Sequence, residues 1–462
     1  MNKNTIIGLL LIFGIFIGYT YLVTPSHEEQ VALRRKADST FLAAQAKREA
    51  DIKAIARHRA ITVAKEKERL IAAGSKVDSL TLLRLTMKDE LGAFAVAAVG
   101  KDTSYVIEND FLKLNISAFG GTIDKVELKD YVTWDKQPLI LMGKDSLRFG
   151  FSFFSNNRVV STGKLYFQPV WPDGVEKLKV TGSDSLKFAM RVFTASTDST
   201  FDNSKYIEFL YTLYGNDHMI RFSVNMVNLR DVIDPATKFL VLDWASNLSR
   251  LEKSFNQERM NSTVYFKYVD DKVDYLSETK DDQKYLKNER LKWVSFKQQF
   301  FSSTIIADQF LSDPKMRVVT LPGGRNYLKT MEMEVGVPYE PTQTAPIDFS
   351  IYYGPNQYYG LKAYKLDLEK QIPLGWGFFL LAWINIYAVI PVFTFFGNLG
   401  WNYGIIILIL TILLKIVLFP IAFKTYKSSA KMRVLKPDVD ELALKFPKKE
   451  DAMKKQAATM EL

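Results

Sequence analysis

Side chains able to do chemistry are scarce in this sequence. His27, His58 and His218 are the only histidines among 462 residues, and there is no cysteine. A histidine metal centre usually needs several imidazoles and a hydroxyl nucleophile one placed beside it, so with so few both chemistries are improbable. Disulfides, thiolate ligands and cysteine nucleophiles are excluded, while the redox compartment stays open. The pairs Gly120-Gly121 and Gly323-Gly324 lie in strand-like surroundings, without the helix and lysine of a phosphate-cradling loop, and read as turns. Asp270, Asp271, Asp274, Asp281 and Asp282 alternate with lysines and do not match a calcium loop. Any two acids can meet in space, so a paired-carboxylate hydrolase is neither selected nor excluded. The sequence therefore offers no catalytic residue, no metal ligand and no cofactor site.

The exception is Lys415, the one charge in IIILILTILLKIVLFPIAF, from Ile405 to Phe423. On a helix over 402–423 it lies ~12 Å from the end at Phe423. Its stem could carry the ammonium to the headgroups. An unpaired charge in mid-bilayer costs roughly 2.5–3.5 kcal/mol, which favours a water-filled cavity or a partner instead. The helical period puts Gly404, Leu408, Thr411 and Ala422 on one stripe with Lys415, opposite a face of Ile and Leu. Such a stripe suits packing around a hydrated groove. Snorkelling and function both remain open on these grounds.

The elements that would position Lys415 follow from hydropathy and charge. Residues 5–23 are an uncharged run long enough to span ~30 Å of hydrocarbon, read as an uncleaved anchor rather than a signal peptide. Residues 27–100 are rich in Ala, Lys, Arg and Glu and read as a charged helical linker. Its bases are interleaved with acids, so specific nucleic-acid recognition is not expected there, while the chain as a whole carries 61 basic against 51 acidic residues, net +10. From 102 to 367 the period becomes two. Leu112, Leu114 and Ile116 alternate with polar residues, as do Leu186, Phe188, Met190 and Val192, and YIEFLYTLY and HMIRFSVNMV flank a Gly215-Asn216-Asp217 hairpin turn. A large antiparallel β-sandwich follows.

No charged residue occurs between Lys370 and Lys415, and Pro391 and Gly397-Asn398-Leu399-Gly400 break that stretch. A hairpin of two spans competes with an aromatic interfacial helix over 374–396 leading into one span over 402–423. The flank Lys424 to Lys436 carries five bases and no acid, which marks the cytoplasmic side. With the N-terminus inside, only the interfacial arrangement returns the chain there. Residues 424–462 are then a cytoplasmic basic helical segment.

The stretch NYGIIILILTILLKIVLFPIAFKTYKSSAKMRVLKP, from Asn402 to Pro437, resembles the first core helix of the bacterial YidC/Oxa-type membrane protein insertases. SAFGGTIDKVEL (Ser117 to Leu128), WVSFKQQFFSSTIIAD (Trp293 to Asp308) and YYGP (Tyr352 to Pro355) resemble that family's periplasmic domain. The resemblance implies an α+β membrane protein of the bacterial inner membrane, multi-pass, with a large periplasmic β-supersandwich. It implies a non-enzymatic insertase and chaperone that needs neither nucleotide nor metal. Its partners would be nascent membrane proteins and the lipid bilayer, with the Sec translocon and the ribosome as further candidates. A cationic residue in a groove open to the cytosol, aligned with Lys415, would receive the hydrophilic part of a substrate, with Thr411 beside it. Lys424, Lys427, Lys431 and Arg433 would make cytoplasmic contacts, with anionic lipid simpler than ribosomal RNA. Lysine in place of the family's common arginine keeps the charge and loses the bidentate fork. The family continues into a helical hairpin and further membrane helices, so the resemblance also implies a chain truncated after the second span. The alternative is a membrane-anchored periplasmic protein that binds a glycan or peptide. An anchor has no need of the stripe around Lys415.

Overall fold

The computed structural model describes residues 68–69, 86–144, 147–156, 158–171, 178–197, 200–270, 272–321, 326–375 and 379–445. The anchor expected over 5–23, most of the linker over 27–100, His27, His58, Gly323, Gly324, Asp271 and residues 446–462 lie outside them. The chain divides into two compact units, Met1–Gln371 and Ile372–Leu462.

In the first unit, β1 (Ser104–Glu108), β2 (Leu112–Ser117), β3 (Ile123–Val132) and β4 (Pro138–Met142) pair in sequence order as an antiparallel sheet. The larger sheet begins with β5 (Leu147–Ser155), β6 (Arg158–Ser161), β7 (Gln168–Val170), β8 (Ser185–Thr197) and β9 (Thr200–Tyr214). It continues with β10 (Met219–Val227), β11 (Phe239–Ser249), β12 (Thr263–Tyr268), β13 (Val273–Tyr275) and β14 (Asp282–Tyr285). The last strands are β15 (Arg290–Lys297), β16 (Phe301–Thr320), β17 (Tyr327–Pro338) and β18 (Ile347–Pro355). Their main order is β6-β5-β11-β17-β16-β18-β10-β9-β8-β7, with β12 to β15 branching from β16. Short helices α1 (Phe255–Met260) and α2 (Tyr358–Ala363) decorate the sheet.

Alternation places one set of side chains inside. On β10, Ile220, Phe222 and Val224 are buried while Arg221 and Ser223 are only half-buried, and Phe222 faces Tyr211 across the hairpin to β9. The inner rings form one cluster: Phe209 and Phe222 centroids are 5.3 Å apart, Phe151 and Phe209 5.8 Å, and Phe222 and Phe349 5.9 Å. Trp244 stacks on Phe296 at 3.7 Å. The small sheet is tied to the large one where the Tyr211 hydroxyl donates to the Gly121 carbonyl at 2.8 Å. Gly121 has φ +62°, and a Cβ there would lie 2.6 Å from the Phe167 ring, so this glycine of the Gly120-Gly121 pair is fixed by a turn and a close approach. Leu91, Phe94 and Ala97, from a 3-10 segment over Gly92–Ala98 and the residue before it, join the same core.

Two lysines buried here have partners for their ammonium groups. Lys297 and Lys329 are 1% and 2% exposed. The Lys297 ammonium donates to the Asn261 carbonyl at 2.9 Å and pairs with Glu278 at 3.4 Å, while Lys329 donates to the carbonyls of Ser262 and Glu278. Glu258 on α1 accepts from the Leu251 and Glu252 N–H groups at 3.0 and 3.1 Å, yet burial pushes its carboxyl up from 4.5 to about 7. A carboxyl raised on folding binds protons more tightly in the native state. Its contribution is full below about pH 4.5, falls as pH rises to about 7, and is level above that. Urea denaturation should show this decline, and Glu258→Gln should flatten it over that window.

Candidate functional site

The second unit holds the residues singled out for function. Its described part runs from α3 (Phe379–Ile384) through a π-helical turn over Asn385–Val389 into α4 (Ile390–Asn398), and then α5 (Tyr403–Lys445). The π turn has a local cause. Pro391 offers no N–H to the carbonyl four residues back and would crowd it, and a wider turn relieves both problems. The Asn385 amide, alone in an apolar run, donates to the Leu374 carbonyl at 2.5 Å and satisfies a group before the helix. Gly400, at φ +72°, makes the sharp turn out of α4. Asn402 accepts from the Gly404 N–H at 2.8 Å and starts α5. Phe396 against Trp401 (4.8 Å) and Phe393 stacked on Tyr403 (5.6 Å) pin the α4–α5 corner. By length and composition, both 381–398 and 403–437 could cross a membrane.

Lys415 lies 12 residues into α5, ~18 Å along its axis from Tyr403. Its side chain is exposed in the isolated chain, and the sequence has no acid between Glu369 and Asp438 to pair with it inside this unit's apolar stretch. Two further features loosen the apolar wall of the helix nearby. Thr411 donates its hydroxyl back to the Ile407 carbonyl at 2.8 Å, a bond that tends to bend a helix. Pro420 cannot supply an N–H to the Ile416 carbonyl, one residue beyond Lys415. Gly404, Thr411, Lys415 and Ala422 fall on one stripe of the continuous helix, while Ile405, Ile412, Ile416 and Phe419 are among its exposed apolar residues.

The basic residues divide. At about 100° per residue, Lys424, Lys427 and Lys431 share the face opposite Lys415, whereas Arg433 returns to the Lys415 side. They belong to the same helix as Lys415, not to a separate segment. Sequence reasoning missed Asn385 and the π turn, although an asparagine amid WINIY was a visible signal.

In the first unit, the segment that ends at Gln371 is locked to the sheet. The Gln371 amide is buried, accepts from the Ser295 hydroxyl at 2.9 Å and donates to Ser302 at 3.4 Å, and Thr304 donates to Ser295 at 2.7 Å. The Trp293 indole donates to the Leu366 carbonyl at 2.8 Å, and Lys267 pairs with Asp367 at 3.4 Å. His218 stacks on Phe111 at 4.6 Å, and burial holds its pKa below the usual value, as befits a packing residue. No His/Cys/Asp/Glu cluster fit for a metal occurs among the described residues. A small cleft between the sheets is lined by Thr122, Phe149, Tyr211, Trp244 and Tyr353. Gln371→Ala strands two hydroxyls and should cost about 1–3 kcal/mol in denaturation of the sandwich, with faster proteolysis after Lys365 or Lys370.

A membrane protein with a large β-sandwich ahead of its apolar helices is the class these features define. Residues 104–386 match the family model for the YidC periplasmic domain, and residues 394–462 match that for the 60Kd inner membrane protein. The chain is 34% identical over 473 residues to the membrane protein insertase YidC of Parabacteroides distasonis, covering 100% of this chain and 70% of the relative. It is 33% identical over 468 residues to that of Bacteroides fragilis, covering 100% and 69%. A crystal structure of active YidC insertase with the first transmembrane domain resolved is 12% identical and covers 74% of this chain and 61% of that one, at a TM-score of 0.29. The chain belongs to the YidC family of inner membrane proteins, whose relatives here are named insertases rather than enzymes.

Proposed function

We propose that this chain helps nascent membrane proteins enter and fold in the inner membrane, with the polar stripe of α5 lining a groove that opens to the cytosol. Family membership supports the insertase activity. The observation that carries the groove is Lys415, a cation without a neighbouring acid in an apolar helix, one turn from Thr411 and beside the donor-poor carbonyl at Ile416.

The chemistry is solvation. A hydrophilic stretch of substrate crosses hydrocarbon at a cost of several kcal/mol for each unpaired charge or backbone group. An ammonium kept in mid-membrane draws water around it and shortens the dry path. Lys415 and Thr411 contact the polar stretch, and burial of the substrate's own apolar helix, at roughly 25 cal/mol per Å², drives release into lipid. No bond is made or broken. Lys424, Lys427, Lys431 and Arg433 face the cytosol, where lipid phosphates are their natural partners, and the ribosome and Sec translocon are further candidates. In this topology the protein is multi-pass, with 5–23 and 402–423 as spans, 27–100 as a linker, 102–367 in the periplasm and 374–396 at the interface.

Insertion of a reporter membrane protein in cells depleted of their own insertase tests the proposal. Lys415→Ala should lower insertion by about tenfold, equivalent to ~1.4 kcal/mol, while Lys415→Arg keeps it. Insertion unchanged by alanine would reduce Lys415 to a snorkelling residue. Its absence with the chain extended by the family's downstream helices would favour an anchored glycan- or peptide-binding protein.

A further inference from the structure

We infer that one end of the sandwich, bearing Val132, Trp134, Phe300 and Tyr359, rests on the lipid headgroups of the bilayer. These four side chains are 63%, 47%, 52% and 45% exposed. They come from three separate parts of the chain: the β3–β4 turn, the β15–β16 turn and α2. Hydrogen bonds join those parts into one surface. The Asn356 N–H donates to the Phe300 carbonyl at 2.7 Å, and the Gln357 amide donates to the Tyr131 hydroxyl at 3.3 Å. Tyr131 meets Phe301 edge-on at 5.1 Å. The Trp134 N–H donates to the Leu251 carbonyl at 3.1 Å, and Gln298 donates to the Ser249 carbonyl at 3.0 Å. Large apolar side chains gathered on one polar surface mark a contact site.

Two observations choose lipid as the occupant. The first is chain reach. Gln371 is bonded to Ser302, two residues from Phe300. Only eight peptide steps separate Gln371 from Phe379, where the apolar helix begins, at most about 28 Å of extended chain. A tether this short is compatible with a bilayer contact at the exposed end. The second is chemistry. Trp and Tyr beside cations are the residues favoured at a membrane–water interface. The Arg250 guanidinium lies 4.9 Å from the Trp134 ring, the Lys362 ammonium 5.3 Å from Tyr358, and Lys136 and Lys253 are exposed alongside. Asp130, Asp135 and Glu252 are the acids of the same turns. Cations outnumber them, which suits anionic phosphates.

The proposal rests on the membrane placement of α5, and its test separates the two. The chain lacks cysteine, so single cysteines can each carry one spin label. The full chain would be reconstituted in phosphatidylethanolamine–phosphatidylglycerol vesicles with Val132→Cys, Phe300→Cys, Phe201→Cys or Val417→Cys. Phe201 is the second residue of β9, at the end remote from Tyr214, and Val417 lies on α5. Collision rates with oxygen, which concentrates in lipid, are compared with those of a water-soluble nickel chelate. The oxygen-to-nickel ratio at 132 and 300 should exceed that at 201 severalfold, and 417 should read as lipid. Water-like ratios at 132 and 300 with lipid at 417 would overturn the inference alone. Slow collision with both reagents at 132 and 300 would mean a protein covers this face and would also overturn it. A water-like 417 would overturn the membrane placement itself.

Discussion

An ammonium group on an apolar helix has three ways to avoid hydrocarbon: water, an acid, or a path to the headgroups. On α5 itself no carboxylate precedes Asp438. The proposed groove would keep Lys415 wet, as snorkelling would. The surrounding residues bear on which. Thr411 spends its hydroxyl on its own helix, Pro420 withholds a donor from Ile416, and Gly404 and Ala422 keep the same stripe low. The proposed groove would give each of these a use, as room for water and for a second chain.

The sandwich does a different job by different physics. Its stability comes from an aromatic interior in which Phe151, Phe209, Phe222 and Phe349 touch, and from buried lysines whose donors are matched to carbonyls. Such a body holds its ends rigidly. Gln371, set among Ser295, Ser302 and Thr304, fixes the point from which the chain departs toward the membrane.

Much of this was legible in the residues. Alternation in FLKLNISAF and HMIRFSVNMV marked β2 and β10, because a sheet with one wet face writes its period into hydropathy. Lys415 and Thr411 were visible for a similar reason, as polar residues stand out against a run of Ile and Leu. Other features were not legible. The branch of β12 to β15 from β16 depends on pairings that no local pattern encodes. Gln371 looked like an ordinary polar residue near a domain end until its hydroxyl partners, 76 and 69 positions away, were brought to it. The opposed faces of Lys424 and Arg433 required the helix to run unbroken past Phe423, where the sequence reading divided a span from a basic helical segment. The exposed end of the sandwich joins three distant turns, so only the folded chain assembles it.

The most direct test of the central claim is photocrosslinking from α5 to a membrane protein stalled during synthesis. A benzophenone side chain would replace Thr411 on the polar stripe, with Val417 on an exposed apolar face as the comparison. The groove account predicts strong adducts to the stalled chain from position 411 and weak ones from 417. Equal labelling from both positions, or adducts to lipid alone from 411, would contradict it.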